Sequence, residues 1–185
     1  MKVVLASLSP RRKQLLATLL PQFEIIGAEG EESAEGANPS QTAMLRAEQK
    51  AREVKARLQE KAVVIGSDTI VALNGEILGK PQNSEDAKRM LRALSGKSHQ
   101  VITGVAFLGE RICRVLCDIT TVRFHSLSEE LIERYVATGS PLDKAGAYGI
   151  QDGFPLVKEY VGSYDNVVGF PTELMKSLLI EEGVL

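Results

Sequence analysis

Two short apolar runs, Lys2–Ala6 and Ala62–Gly66, constrain this chain more than anything else in it. Each lacks the polar alternation of a half-exposed strand and passes directly into turn-forming polar residues, so each reads as a buried strand. After the first, Ser9 suits a helix N-cap and Pro10 the first helical position, with Leu15, Leu16, Leu19 and Leu20 as an apolar stripe up to Pro21. The second runs through Ser67-Asp68-Thr69 into Ile70–Leu73, and Asn74-Gly75 then gives a strong hairpin signal. Between them, Ala43, Ala47, Ala51, Val54 and Leu58 fall on one face of a helix opened by Pro39-Ser40.

The same reading predicts short strands at Phe23–Ile26 and Glu76–Leu78, and a helix from Ser84 to Leu94. A long hairpin, His99–Leu108 with Arg111–Phe124, follows, and then a helix capped by Ser126 and Glu129. Asp143–Gln151 reads as a loop, Leu156–Val161 as a strand, Gly162–Gly169 as a turn and Pro171 onward as a final helix. Helices and strands alternate without repeat or linker. An α/β fold in a single domain spanning 1–185 is therefore expected.

Charge excludes some functions. Twenty-two basic against twenty-four acidic residues leave a net charge of −2, and aromatics make up 5%. Neither suits a nucleic-acid binder, which needs a basic face or stacking platforms. A strand at Lys2 leaves no room for a signal peptide, and no apolar run reaches membrane-spanning length. A cytoplasmic protein with no membrane partner is expected. Cys113 and Cys117 read as small core residues of a strand, and neither they nor His99 and His125 have metal-ligand spacing.

Several residues break local rules. Arg11 and Arg12 in the first turn of a helix oppose its dipole. They are either solvated surface arginines or part of an anion site made with the Ser7–Ser9 turn. Lys50 lies at the edge of the alanine stripe, as a snorkelling lysine or a functional one. Asp68 ends a buried strand, as a turn former or where α/β proteins place catalytic groups. If the Asn74-Gly75 hairpin continues unbroken, Thr69 pairs with Lys80, which brings Lys80 beside Asp68. Glu31-Glu32 reads as a solvated acidic run or an acidic ligand pair. Arginines, lysines and acids together suit a phosphorylated ligand, a triphosphate with a divalent ion.

Ser7-Leu8-Ser9-Pro10-Arg11-Arg12 resembles the S-x-S-P-R-R signature of the Maf family of nucleotide pyrophosphatases. The resemblance continues through Ser67–Thr69, Leu78–Pro81, Ser95–Gly104, Asp143–Gln151 and Gly162–Pro171, over nearly the whole chain. It implies the fold shared with inosine triphosphate pyrophosphatases: a mixed twisted sheet flanked by helices, in two lobes with a central cleft. It implies hydrolysis of a nucleoside triphosphate to monophosphate and pyrophosphate with Mg²⁺, or else Mn²⁺ or Co²⁺, and leaves a homodimer open. Asp68 would be the proton acceptor, Ser7, Arg12, Lys50 and Lys80 the phosphate-binding groups, and Glu32 with Asp68 the metal ligands. Arg11, Thr69 and Gln151 resemble the set of the subgroup acting on dTTP and UTP rather than on 7-methyl-GTP. A glutamine can donate to and accept from a pyrimidine edge, whereas an ionised glutamate only accepts. The chain departs from the family pattern at Asp152, where glycine is expected, and at Phe170, where leucine is more usual. A nucleotide-binding regulator of cell division is the alternative of another class.

Overall fold

The computed structural model describes residues 2–30 and 33–185. Along the chain run β1 (Val3–Leu5), α1 (Pro10–Ala17), β2 (Glu24–Ile25), α2 (Pro39–Arg57), β3 (Val63–Leu73) and β4 (Glu76–Leu78). They are followed by α3 (Ser84–Leu94), β5 (Ser98–Leu108), β6 (Cys113–Phe124), α4 (Glu129–Ala137), β7 (Val157–Val161), α5 (Tyr164–Val168) and α6 (Thr172–Glu181). The strands form a seven-stranded mixed sheet in the order β2-β1-β3-β5-β6-β7, with β4 paired to β3. β1 is parallel to both β2 and β3, whereas β4 and β7 pair antiparallel. Parallel strands without alternation are the pattern of strands covered on both faces.

Residues divide into two compact units. The first holds the chain up to Thr69, Thr103–Asp118 and Gly169–Leu185; the second holds Ile70–Ile102 and Ile119–Val168. In the first unit, two apolar clusters form. One joins Val3, Leu5, Val63 and Ile65 to Leu16, Phe107, Phe170 and Met175; the other joins Val4 and Val64 to Ala47, Ala51 and Val54. Alternate residues of β1 and β3 thus feed opposite clusters, as the pleat requires. Phe170, the departure from the family's leucine, is fully buried in the first of them. In the second unit α3 and α4 pack with Val101, Val122, Phe124 and Tyr148. Asn83 caps α3 by accepting from Asp86 N–H. Ser128, not the expected Ser126, caps α4 by accepting from Leu131 N–H, because the helix begins at Glu129 and Ser126 lies two residues before its cap.

Three further expectations need correcting. Cys113 is exposed and Cys117 only half-buried, because no residue of 113–118 at the start of β6 is fully buried. Gly162–Gly169 contains α5, whose buried Asn166 donates from Nδ2 to Val101 O at 3.0 Å and to Thr120 Oγ1 at 2.9 Å. The hairpin register is as expected, but the ladder runs only from Leu73–Glu76 to Val71–Leu78. Gly79 gives its carbonyl to Gly146 N–H instead, so Thr69 and Lys80 are not ladder partners.

His99 carries a stability prediction. Its Nε2 lies 2.7 Å from Tyr148 Oη, its ring packs edge-on against Phe124 and Tyr148, and its Nδ1 is buried without a hydrogen-bond partner. Burial pushes its pKa down from 6.5 to about 4. The folded state therefore resists a proton that the unfolded chain takes up, and stability falls as pH drops from 6.5 towards 4. Between pH 7.5 and 5 this amounts to about 2 kcal/mol. Urea unfolding at the two pH values should show that loss, and His99→Phe should remove it. Parallel slopes for parent and variant would assign the loss to other groups.

Candidate active site

In the first unit the site is built on a close approach of helix to sheet. Ala43, Ala47, Ala51 and Val54 of α2 are fully buried and face two strand glycines. A Cβ on Gly66 would stand 2.1 Å from Ala47 O, and one on Gly104 2.3 Å from Ala43 O. Glycine at both positions lets the helix backbone sit on the strands. Lys50 then reaches the end of the apolar run, where its Nζ lies 2.6 Å from Asp68 Oδ1. The aspartate is 4% exposed, and its Oδ2 is buried with no hydrogen-bond partner. An anionic oxygen left in that condition costs free energy unless something else meets it.

Arg12 forms the second part. Ser9 Oγ caps α1 by accepting from Arg12 N–H, and Ser9 N–H in turn donates to the buried Ser7 Oγ at 3.3 Å. The Arg12 guanidinium donates from Nε to Gly169 O at 3.0 Å, from Nη1 to Ser7 Oγ at 3.3 Å and from Nη2 to Thr69 Oγ1 at 3.1 Å. Thr69 Oγ1 also meets Thr103 Oγ1 at 3.0 Å. Gly169 has φ of +123°, a backbone conformation that favours glycine, and its carbonyl accepts from the arginine. The cation opposing the helix dipole is thus fixed by partners from the loop after β1, from β3 and from the residue before Phe170. Arg11 stands beside it in the first turn, half-buried.

In the second unit, Lys80 is exposed just past β4 and Gln151 is exposed on a turn. Behind Gln151 lies a polar network. Lys144, 8% exposed, donates from Nζ to Ser140 O at 2.6 Å, Ser140 Oγ at 2.9 Å and Asp143 Oδ1 at 2.7 Å. Asp152 Oδ2 accepts from Ser140 Oγ at 2.7 Å and from Tyr135 Oη at 2.6 Å. Burial first, and then the Asp152 hydrogen bond, push the Tyr135 pKa well above the ordinary phenol range. The phenol therefore stays a donor to Asp152.

Of the residues singled out from sequence, Ser7, Arg12 and Thr69 come together, as do Lys50 and Asp68. Glu32 lies outside the described residues. Gly169, Thr103, Tyr135 and Lys144 were not singled out. The signals available for them were a glycine before Phe170-Pro171 and a lysine inside a tract of small residues. Among the described residues no three His, Cys, Asp or Glu groups cluster to hold a metal by themselves. None of the described helices is long and apolar enough to cross a membrane.

The family model described as Maf-like protein matches residues 2–182. A Thermococcus kodakarensis protein named dTTP/UTP pyrophosphatase is 48% identical over 179 residues, covering 95% of this chain and 94% of that protein. One of the same name from Thermotoga maritima is 46% identical over 185 residues, covering 99% and 90%. Among solved structures, the Staphylococcus aureus Ham1 protein superposes with a TM-score of 0.56 at 17% identity, covering 98% of this chain and all of that one. That likeness concerns the fold. With a family match over almost its full length and relatives this similar, the chain belongs to the Maf family.

Proposed function

We propose that this protein is a nucleoside triphosphate pyrophosphatase that hydrolyses dTTP and UTP to the monophosphate and pyrophosphate. The observation that carries the chemistry is Asp68: buried, held at Oδ1 by Lys50 and unpartnered at Oδ2. The names of the relatives support the substrates. Water attacking the α phosphorus must lose a proton as the bond to the pyrophosphate oxygen breaks. Asp68 accepts that proton at Oδ2, while Lys50 keeps the carboxylate fixed through Oδ1. Arg12, anchored through its Ser7, Thr69 and Gly169 contacts, supplies a preorganised positive charge for the triphosphate. Lys80 serves as a further phosphate cation, and Arg11, Thr69 and Gln151 are the residues we assign to reading the base.

A divalent ion fits these residues. Mg²⁺ is commonly held by one or two carboxylates together with substrate phosphates, and Asp68 Oδ2 is an available carboxylate oxygen of that kind. Asp68 is the ligand we assign, through one lone pair of Oδ2 with the other left for the proton, and Glu32 is the second. Bound there, the ion would neutralise charge on the phosphate oxygens. We place the reaction in the cytoplasm.

Product analysis tests the reading. With Mg²⁺, dTTP and UTP should yield monophosphate and pyrophosphate, and EDTA should abolish the yield. Release of orthophosphate would overturn the bond assignment, and preference for 7-methyl-GTP the subgroup. Binding without turnover would favour a regulatory protein.

A further inference from the structure

Three oxygens accept from the Arg12 guanidinium, and each must turn a lone pair towards it. The carbonyl of Gly169 is set by the backbone. Ser7 Oγ accepts from Arg12 Nη1 and from Ser9 N–H, each at 3.3 Å, which occupies both of its lone pairs and directs its proton elsewhere. Thr69 Oγ1, 3.1 Å from Arg12 Nη2, is a rotor. It serves the arginine only while its own proton points to another acceptor.

Two acceptors lie near that proton. Gly169 O is 3.4 Å from Thr69 Oγ1, beyond the usual O–H···O range. It already takes Arg12 Nε at 3.0 Å, and Ser67 Oγ is a further hydroxyl at 3.4 Å. Two lone pairs cannot serve three donors equally. Thr103 Oγ1 lies 3.0 Å from Thr69 Oγ1, on β5, the neighbour of β3 in the sheet. Thr103 is fully buried, so bulk water does not compete for that bond. Distance and donor count both favour Thr103 as the acceptor.

We propose that Thr103 is a positioning residue for the phosphate cation: its hydroxyl oxygen takes the Thr69 proton and so keeps Thr69 Oγ1 an acceptor for Arg12. This rests on the reading of Arg12 as a charge for the triphosphate. Thr103 reaches the substrate only through Thr69 and Arg12. The triphosphate is common to all nucleotides, so the effect is indifferent to the base.

The test measures kcat, KM and Tm with UTP and CTP for the parent protein, Thr103→Val, Thr103→Ser, Thr69→Val, the double variant Thr69→Val/Thr103→Val and Arg12→Lys. Thr103→Val keeps the shape of the side chain and removes the acceptor. It should lower kcat/KM about fivefold, mostly in kcat, and by the same factor for both nucleotides. Thr103→Ser keeps the hydroxyl, loses the methyl and should stay within about twofold of the parent. On the Thr69→Val background, Thr103→Val should cost nothing further. Parental kcat/KM in Thr103→Val, a serine variant as slow as the valine one, an undiminished loss on the Thr69→Val background or a loss for UTP alone would each overturn the proposal. If Arg12→Lys keeps the parental kcat/KM, the reading of Arg12 fails and the proposal with it. If Arg12→Lys lowers it and Thr103→Val does not, the positioning role alone is lost. Should Thr103→Val not fold, Thr103→Ala against Thr103→Ser, which differ only in the hydroxyl, decides between the same outcomes.

Discussion

Asp68→Asn should lower pyrophosphate release from dTTP by about 10²- to 10⁴-fold, the range spanned by removal of a positioned general base. The substitution is nearly isosteric. At a side chain packed this tightly, shape is preserved while charge and donor pattern change. Lys50 Nζ, 2.6 Å from Oδ1, will select the amide oxygen of asparagine as its partner. The NH₂ group then stands where the unpartnered Oδ2 stood, a donor in place of an acceptor. It can neither take a proton from water nor ligate a divalent ion, so kcat falls whichever role of that oxygen matters more. Two measurements separate the roles. If Oδ2 serves chiefly as base, the variant keeps its affinity for Mg²⁺ and nucleotide and loses kcat alone. If it serves chiefly as ligand, excess Mg²⁺ or Mn²⁺ should recover part of the rate. The Lys50 side chain is 15% exposed, so partial hydration limits the loss of stability from the missing charge. A variant within threefold of the parent in kcat would remove Asp68 from the mechanism.

How much of this was legible in the chain depends on the kind of signal. Lys50 stood out because a cation at the edge of an alanine stripe breaks helical amphipathicity, and Asp68 because a carboxylate ends an apolar run. Periodicity places each on its own element and says nothing of which helix crosses which strand. The register of β3 with β4 followed from Asn74-Gly75, since a two-residue turn fixes every pair after it. The length of that ladder did not follow, because the carbonyl of Gly79 is taken by Gly146, far along the chain. α5 was missed for a related reason. Five residues are too few for a helical period, and what holds them is the buried Asn166 bonded to Val101 and Thr120. The network around Lys144 is drawn from positions 135, 140, 144 and 152, with no spacing that marks them as one site. Motif residues carry their own signal, whereas the residues that hold them carry it only in three dimensions.

Gly66→Ala should destabilise the protein by at least about 3 kcal/mol, the upper range for overpacking a core. The contact responsible is with backbone. The new methyl would lie 2.1 Å from Ala47 O, 2.9 Å from Ala51 Cβ and 3.1 Å from the Ala47 carbonyl carbon. No rotamer change relieves a carbonyl that is already part of the helical ladder of α2, so the helix must lift or the strand must bend. For a chain of this size such a loss lowers Tm by about 6–12 °C. Trimming Ala51→Gly in the same chain removes the 2.9 Å contact and leaves the 2.1 Å one, so it should not rescue the fold. The effect should also reach the site. Lys50 rides on α2 one residue before Ala51, and its 2.6 Å bond to Asp68 has no slack for a helix displaced by a methyl group. Below its lowered Tm the folded variant should therefore lose kcat as well as stability, and Gly104→Ala, aimed at Ala43 O one turn earlier, should behave alike. If Gly66→Ala lowered Tm and left kcat untouched, the approach of helix to sheet would serve packing alone, and Asp68 would not depend on the placement of Lys50.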